Sequence, residues 1–162
     1  MGRIDVTLSS AERGLHKAPF LLSLAPWRQL ALSREITVCL GPDKAPGVAM
    51  ECAVTFARRT LPMLLEDSPA AQVVSEQVVA VVRELVDITA RDRHGADLLG
   101  RIVFDGAHVT VSVGEKREPL PQPDEEPGLY LVRGLADDIG QYGGDEGGYV
   151  TWASIPVPAA TR

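Results

Sequence analysis

Ser68-Pro69-Ala70-Ala71-Gln72-Val73-Val74-Ser75-Glu76-Gln77-Val78-Val79-Ala80-Val81-Val82-Arg83-Glu84-Leu85-Val86-Asp87-Ile88-Thr89-Ala90-Arg91-Asp92 is the firmest periodic stretch of this 162-residue chain. Val74, Val78, Val81, Leu85 and Ile88 recur at spacings of 4, 3, 4 and 3, which puts them on one face of a helix over 69–92. Ser68-Pro69 is a capping start for it. β-Branched residues are mediocre helix formers, so this helix is expected to be held by tertiary burial more than by propensity.

On its C-terminal side two strands are predicted, 98–104 and 109–113, joined across Asp105-Gly106, a dipeptide that favours a tight hairpin. Residues 115–127 carry Pro119, Pro121, Pro123 and Pro127 and no periodicity, so a mobile loop is expected there. Leu131, Leu135 and Ile139 return to helical spacing over 128–139, and Gly140 stops the pattern. The glycine run over 143–148 has no Lys-Ser/Thr, which makes it a hairpin turn and not a phosphate loop. Residues 149–155 form a last strand.

On the N-terminal side, 46–65 reads as a helix with Val48, Cys52, Phe56, Leu61 and Leu64 on one side, and Pro62 weakens its last turn. Residues 35–40 alternate polar and apolar as a strand does, and Gly41-Pro42 ends it. Residues 18–32 are apolar but broken by Pro19 and Pro26. Phe20, Trp27 and Leu30 make this stretch a candidate docking or dimer segment, or one packed on its own domain. Strand, two helices, two strands, loop, helix, strand is the order of an α+β domain with helices on one face of a mixed sheet.

Composition narrows the function. The net charge of −6 lacks the basic balance of a nucleic-acid binder, so no direct nucleic-acid partner is expected. No run of apolar residues is long enough to cross a membrane, and the acidic, interrupted start is no secretion signal; a cytoplasmic protein is expected. Cys39 and Cys52 lack metal-ligand spacing, and His94 and His108 fall near turns without ligand partners, so no metal site is expected from them. The chain contains no asparagine, and only three Lys against thirteen Arg. That excludes N-glycosylation and any site built on an Asn ligand.

Three segments belong together: Val82 to Arg91, late in the long helix; Val111 to Pro121, where a strand meets the loop; and Pro127 to Asp137. With the closing Gly-Gly-Tyr-Val-Thr-Trp-Ala-Ser-Ile-Pro they resemble the nucleotide-binding domain of the GHKL superfamily, and more closely the bacterial anti-sigma-factor-type serine kinases of the histidine-kinase-like ATPase group. The resemblance covers about 34–157, leaving 1–33 as an N-terminal extension and 158–162 as a tail. It implies a Bergerat-type two-layer sandwich.

It also implies roles for particular residues. The family helix reads Glu-Leu-Val-Thr-Asn-Ala; here Glu84, Leu85 and Val86 match, Asp87 takes the Thr place and Ile88 the Asn place. In the family the Glu activates a water or hydroxyl and the Asn holds Mg²⁺; the i, i+4 spacing lets both reach one phosphate. Ile88 brings a hydrocarbon where an oxygen ligand belongs, and Asp87 points about 100° round the helix from it. Glu84 itself is expected either to keep its role or to serve as an ordinary helix carboxylate paired with an Arg such as Arg91. The Asp that receives the adenine amino group in the family corresponds to Glu115 when the segment is aligned on Leu120-Pro121, or to Gly114 after a one-residue slip. Gly-Arg-Gly-Leu in the family stands against Glu126-Pro127-Gly128-Leu129, so Gly128 and Leu129 persist while Pro127 lacks an N–H and Glu126 adds repulsive charge. The resemblance therefore implies an ATP–Mg²⁺ fold with impaired or absent ATP binding. The expected role is protein–protein regulation of bacterial transcription, with a sigma factor or an anti-sigma antagonist as partner and a homodimer as a further expectation. The alternative is an active Mg-ATP-dependent serine/threonine kinase that uses Glu84 as base and Glu115 on adenine. A shared fold alone would license neither.

Overall fold

The computed structural model describes residues 34–42 and 44–159. The segment 1–33, with Phe20, Trp27 and Leu30, and the end of the tail lie outside the described residues. Among the described residues eight elements follow one another: β1 (Arg34–Leu40), α1 (Pro46–Leu64), α2 (Ala71–Arg91), β2 (Leu98–Phe104), β3 (His108–Lys116), α3 (Gly128–Leu135), β4 (Asp138–Gly143) and β5 (Tyr149–Pro156). The fold is α+β, and its strands form one sheet in the order β1-β2-β3-β5-β4.

Every strand pair is antiparallel, which corrects the expected mixed sheet. The reason lies in the connection. A single crossover helix returns the chain for a parallel strand, whereas α1 and α2 double back and deliver it to the end where β1 finished. From there β2 can only run the other way, pairing Ile36 with Ile102 and Val38 with Gly100.

One face of the sheet is apolar and covered by the helices. Ile36, Val38 and Leu40, then Leu98 and Ile102, Val109, Val111 and Val113, and Ala153 and Ile155 alternate along their strands into the core. α2 runs through the middle of this layer, packed against α1, β3, β5 and α3. Its expected stripe of Val74, Val78, Val81, Leu85 and Ile88 is buried throughout, and so are Val79, Val82 and Val86 beside it. The expected capping start at Ser68-Pro69 is corrected: α2 begins at Ala71 with Ala70 as an N-cap that makes no side-chain cap bond, and Ser68 Oγ accepts the Ala70 N–H at 3.3 Å in the turn before the helix. α1 opens on Pro46 and carries Pro62 inside its last turn, where the Leu65 N–H still donates to the Leu61 carbonyl at 2.9 Å.

Two further expectations need correction. The helix predicted over 128–139 ends at Leu135, and Ile139 and Gly140 belong to β4, which pairs with β5. Ala136 turns extended, the Asp137 N–H donates to the Ser154 carbonyl at 2.8 Å, and Gly140 lies so close to the Trp152 indole that a Cβ there would come within 3.0 Å of it. The buried residues of α3 are Leu129 and Val132, while Leu131 is 45% exposed. Ile139 reaches the core from a strand, so its helical spacing from Leu135 was coincidental. The second correction concerns β3, which continues to Lys116, past the expected end at 113; Glu115 therefore sits in a strand and not in a loop. Among the described residues no helix is long and apolar enough to cross a membrane, and Cys39 and Cys52 are half-buried.

Candidate functional site

The C-terminal half of α2 and the start of α3 bring most of the singled-out residues together. Glu84 is half-buried, with its carboxylate directly against Gly128; a Cβ at that glycine would collide with it. α3 begins on top of the Glu84 side chain, so any larger residue at 128 would push the end of that side chain aside. Ile88, one turn along α2, is 4% exposed, and Leu129 is buried at the first turn of α3.

Arg91 fastens the two helices. Its Nε donates to Asp87 Oδ2 at 3.1 Å and its Nη2 reaches Glu126 Oε2 at 3.0 Å. The expected pairing of Glu84 with Arg91 is thus corrected: Arg91 serves Asp87 and Glu126, and no ion pair is formed by Glu84 among the described residues. Burial pushes the Glu84 carboxyl up, the neighbouring charges of Asp87 and Glu126 push it further, and Arg83 and Arg91 partly oppose them. These carboxylates form no group able to hold a metal ion among the described residues.

Because folding raises the Glu84 pKa, the folded chain holds this proton more tightly than the unfolded one. Its stabilising contribution is full below about pH 4.3, the unfolded value, and is lost as pH rises through the folded value. Glu84→Gln is therefore expected to melt slightly higher than the parent at pH 7, by no more than about 0.5 kcal/mol, the ordinary range for a substitution that is not fully buried. The gain should vanish in melts below about pH 4.

The start of α3 uses its donors locally. The Leu129 N–H donates to the Glu126 carbonyl at 3.0 Å and the Tyr130 N–H to the Pro127 carbonyl at 3.1 Å. Pro127, the N-cap, has no N–H to offer. By the resemblance this is where phosphates and Mg²⁺ would lie. The chain presents there a buried alkyl group, a proline and an ion-paired carboxylate, and Mg²⁺ requires an octahedron of hard oxygens.

Glu115 is placed elsewhere. Its carboxylate accepts the Glu146 N–H at 2.9 Å through Oε1 and the Gly148 N–H at 2.7 Å through Oε2, and so clasps the β4–β5 hairpin. His94 joins the same knot, with Nε2 at 2.7 Å from the Glu146 carbonyl and its N–H donating to the Glu115 carbonyl at 2.8 Å. To receive an adenine amino group Glu115 would have to share or release these bonds. His108 lies 3.3 Å from Asp137 at the sheet's other end.

One strong interaction had no forerunner in the sequence reading. Lys116, at the end of β3, is buried, and its Nζ donates to Asp92 Oδ2 at 2.5 Å. Asp92, the residue that ends α2, also accepts the Glu118 N–H at 3.0 Å, and its carbonyl takes the Arg117 N–H at 2.8 Å. The hydrogen bond from Lys116 is the main reason the Asp92 carboxyl sits below its ordinary range. A lone Lys following an apolar strand was the available signal. No protein-family model and no curated protein matches this chain.

Proposed function

We propose that the chain is a regulatory protein-binding domain of the anti-sigma-factor-like type, acting in the cytoplasm on bacterial transcription, whose nucleotide site no longer takes Mg-ATP. The observation that carries this reading is the surroundings of Glu84: buried Ile88 at the place of the metal ligand, with Glu126 held by Arg91 beside Gly128. A triphosphate there would meet Asp87, Glu126 and Glu84 at close range with no bridging metal ligand from α2, and like charges at that range repel strongly. Its partner, by the same resemblance, is a sigma factor or an anti-sigma antagonist.

Titration with a fluorescent ATP analogue in Mg²⁺ tests the reading. No binding up to millimolar nucleotide is expected. Micromolar, magnesium-dependent binding would replace the reading with that of an active serine kinase using Glu84 as base. Ile88→Asn combined with Glu126→Gly restores an oxygen ligand and removes a charge, and a gain of magnesium-dependent binding is expected in that pair.

A further inference from the structure

A cavity of about 300 Å³ opens where α1, α2 and α3 meet. Val79 and Ala80 of α2 and Leu131 of α3 line it, together with Arg58 of α1 and Glu76 and Arg83 of α2. We infer that this groove receives an acidic amphipathic helix of the partner protein, an apolar side chain of that helix filling the cavity and its carboxylates pairing with Arg58 and Arg83. The inference rests on the protein-binding reading above.

Charge complementarity selects the occupant. In a chain of net charge −6 the groove gathers two arginines against Glu76 alone, and Arg58 has no ion pair among the described residues. Arg83 is held by Glu51 at 3.2 Å, but that carboxylate is largely exposed, so the pair is weak and a partner's carboxylate can share the guanidinium. A strip of mixed character on α2, with Val73 exposed at its start, continues beyond the cavity. Val73, Glu76, Ala80 and Arg83 follow one another along α2 at helical spacing, and Val73 is 61% exposed. From Val73 to Arg83 this strip is roughly 15 Å long at about 1.5 Å per residue, enough for nearly three turns of a docked helix. Leu131 is exposed on α3 because Leu129 and Val132 hold that helix to the core, which leaves it available to a partner.

The test uses the full chain and two labelled helical peptides, each with Leu at i, i+3 and i+4 spacing and either Glu or Lys at the remaining positions, read by fluorescence anisotropy. The Glu/Leu peptide is expected to bind in the micromolar range and the Lys/Leu peptide about tenfold or more weakly. Arg58→Glu with Arg83→Glu should raise the Kd for the Glu/Leu peptide by about tenfold or more, and Leu131→Ser alone should weaken it. Arg58 and Leu131 are exposed and Arg83 is half-buried, and circular dichroism of the variants checks that they fold. Equal binding of both peptides, no binding of either, or binding unchanged by the double reversal would overturn the inference. So would capture of the chain by anionic lipid vesicles that is lost with the same reversal while the Glu/Leu peptide fails to bind. The nucleotide titration is independent of these outcomes, so failure of the groove leaves the reading of a lost nucleotide site standing, and capture of a sigma factor or anti-sigma antagonist by the full chain with no effect of the double reversal would keep the protein-binding reading while overturning the groove.

Discussion

Asp92→Ala is expected to destabilise the fold by about 3–5 kcal/mol, because it leaves the Lys116 ammonium buried without its counter-charge. The Lys116 side chain is only 7% exposed, and Asp92 is the acid that pairs with it. The same carboxylate accepts the Glu118 N–H, so the substitution also loosens the exit from β3. For a domain of this size the melting temperature should fall on the order of 10 °C. Lys116→Met should cost far less, since the Asp92 carboxylate that remains is partly solvated and keeps its backbone donor. The double variant should therefore recover much of the loss, a coupling that a double-mutant cycle in urea reads directly. The pH dependence follows from the lowered Asp92 pKa. Its contribution is full above about pH 3.9, the unfolded value, and is lost as pH falls through the lower folded value. Asp92→Ala should flatten the acid limb of the stability curve accordingly. A loss below about 1 kcal/mol at pH 7 would show that the pair offsets no more than an ordinary surface bridge does.

Leu85→Ala is expected to cost about 2–5 kcal/mol. Leu85 is 0% exposed in the middle of α2, the helix that touches α1, α3 and the sheet at once. A helix hemmed in on three sides cannot move to fill the void, so the upper part of that range is the expectation. Leu85→Met, which keeps the volume, should cost less than about 1.5 kcal/mol. Val73→Ala on the exposed strip of the same helix should lie within about 0.5 kcal/mol of the parent. Urea midpoints of the three variants give the comparison; equal losses for Leu85→Ala and Val73→Ala would mean that α2 is not the centre of the core.

Long repeating patterns were legible. The 4, 3, 4, 3 spacing from Val74 to Ile88 identified both the helix and its buried face. The hairpin at Asp105-Gly106 was also readable, because a two-sided period and a turn dipeptide are local properties, and Asp105 Oδ1 does accept the N–H groups of Ala107 and His108 at 2.8 and 2.7 Å. α3 was legible as a helix but not in its orientation. Leu129-Tyr130-Leu131-Val132 is apolar on several sides of a short helix, so its period could not choose among faces. β4 was hidden because Ile139 also satisfies the helical spacing, and only pairing with β5 extends it.

The chain's own order of residues determined that α2 would be a buried helix and that two helices would separate the first two strands. Both depend on near neighbours in the chain. Tertiary structure alone decided that the sheet is wholly antiparallel, that Arg91 serves Asp87 and Glu126 and not Glu84, that Glu115 clasps the β4–β5 hairpin, and that Lys116 is buried on Asp92. A charge can reach any opposite charge that folding brings near, and which one it meets is set by the packing of elements far apart in the chain.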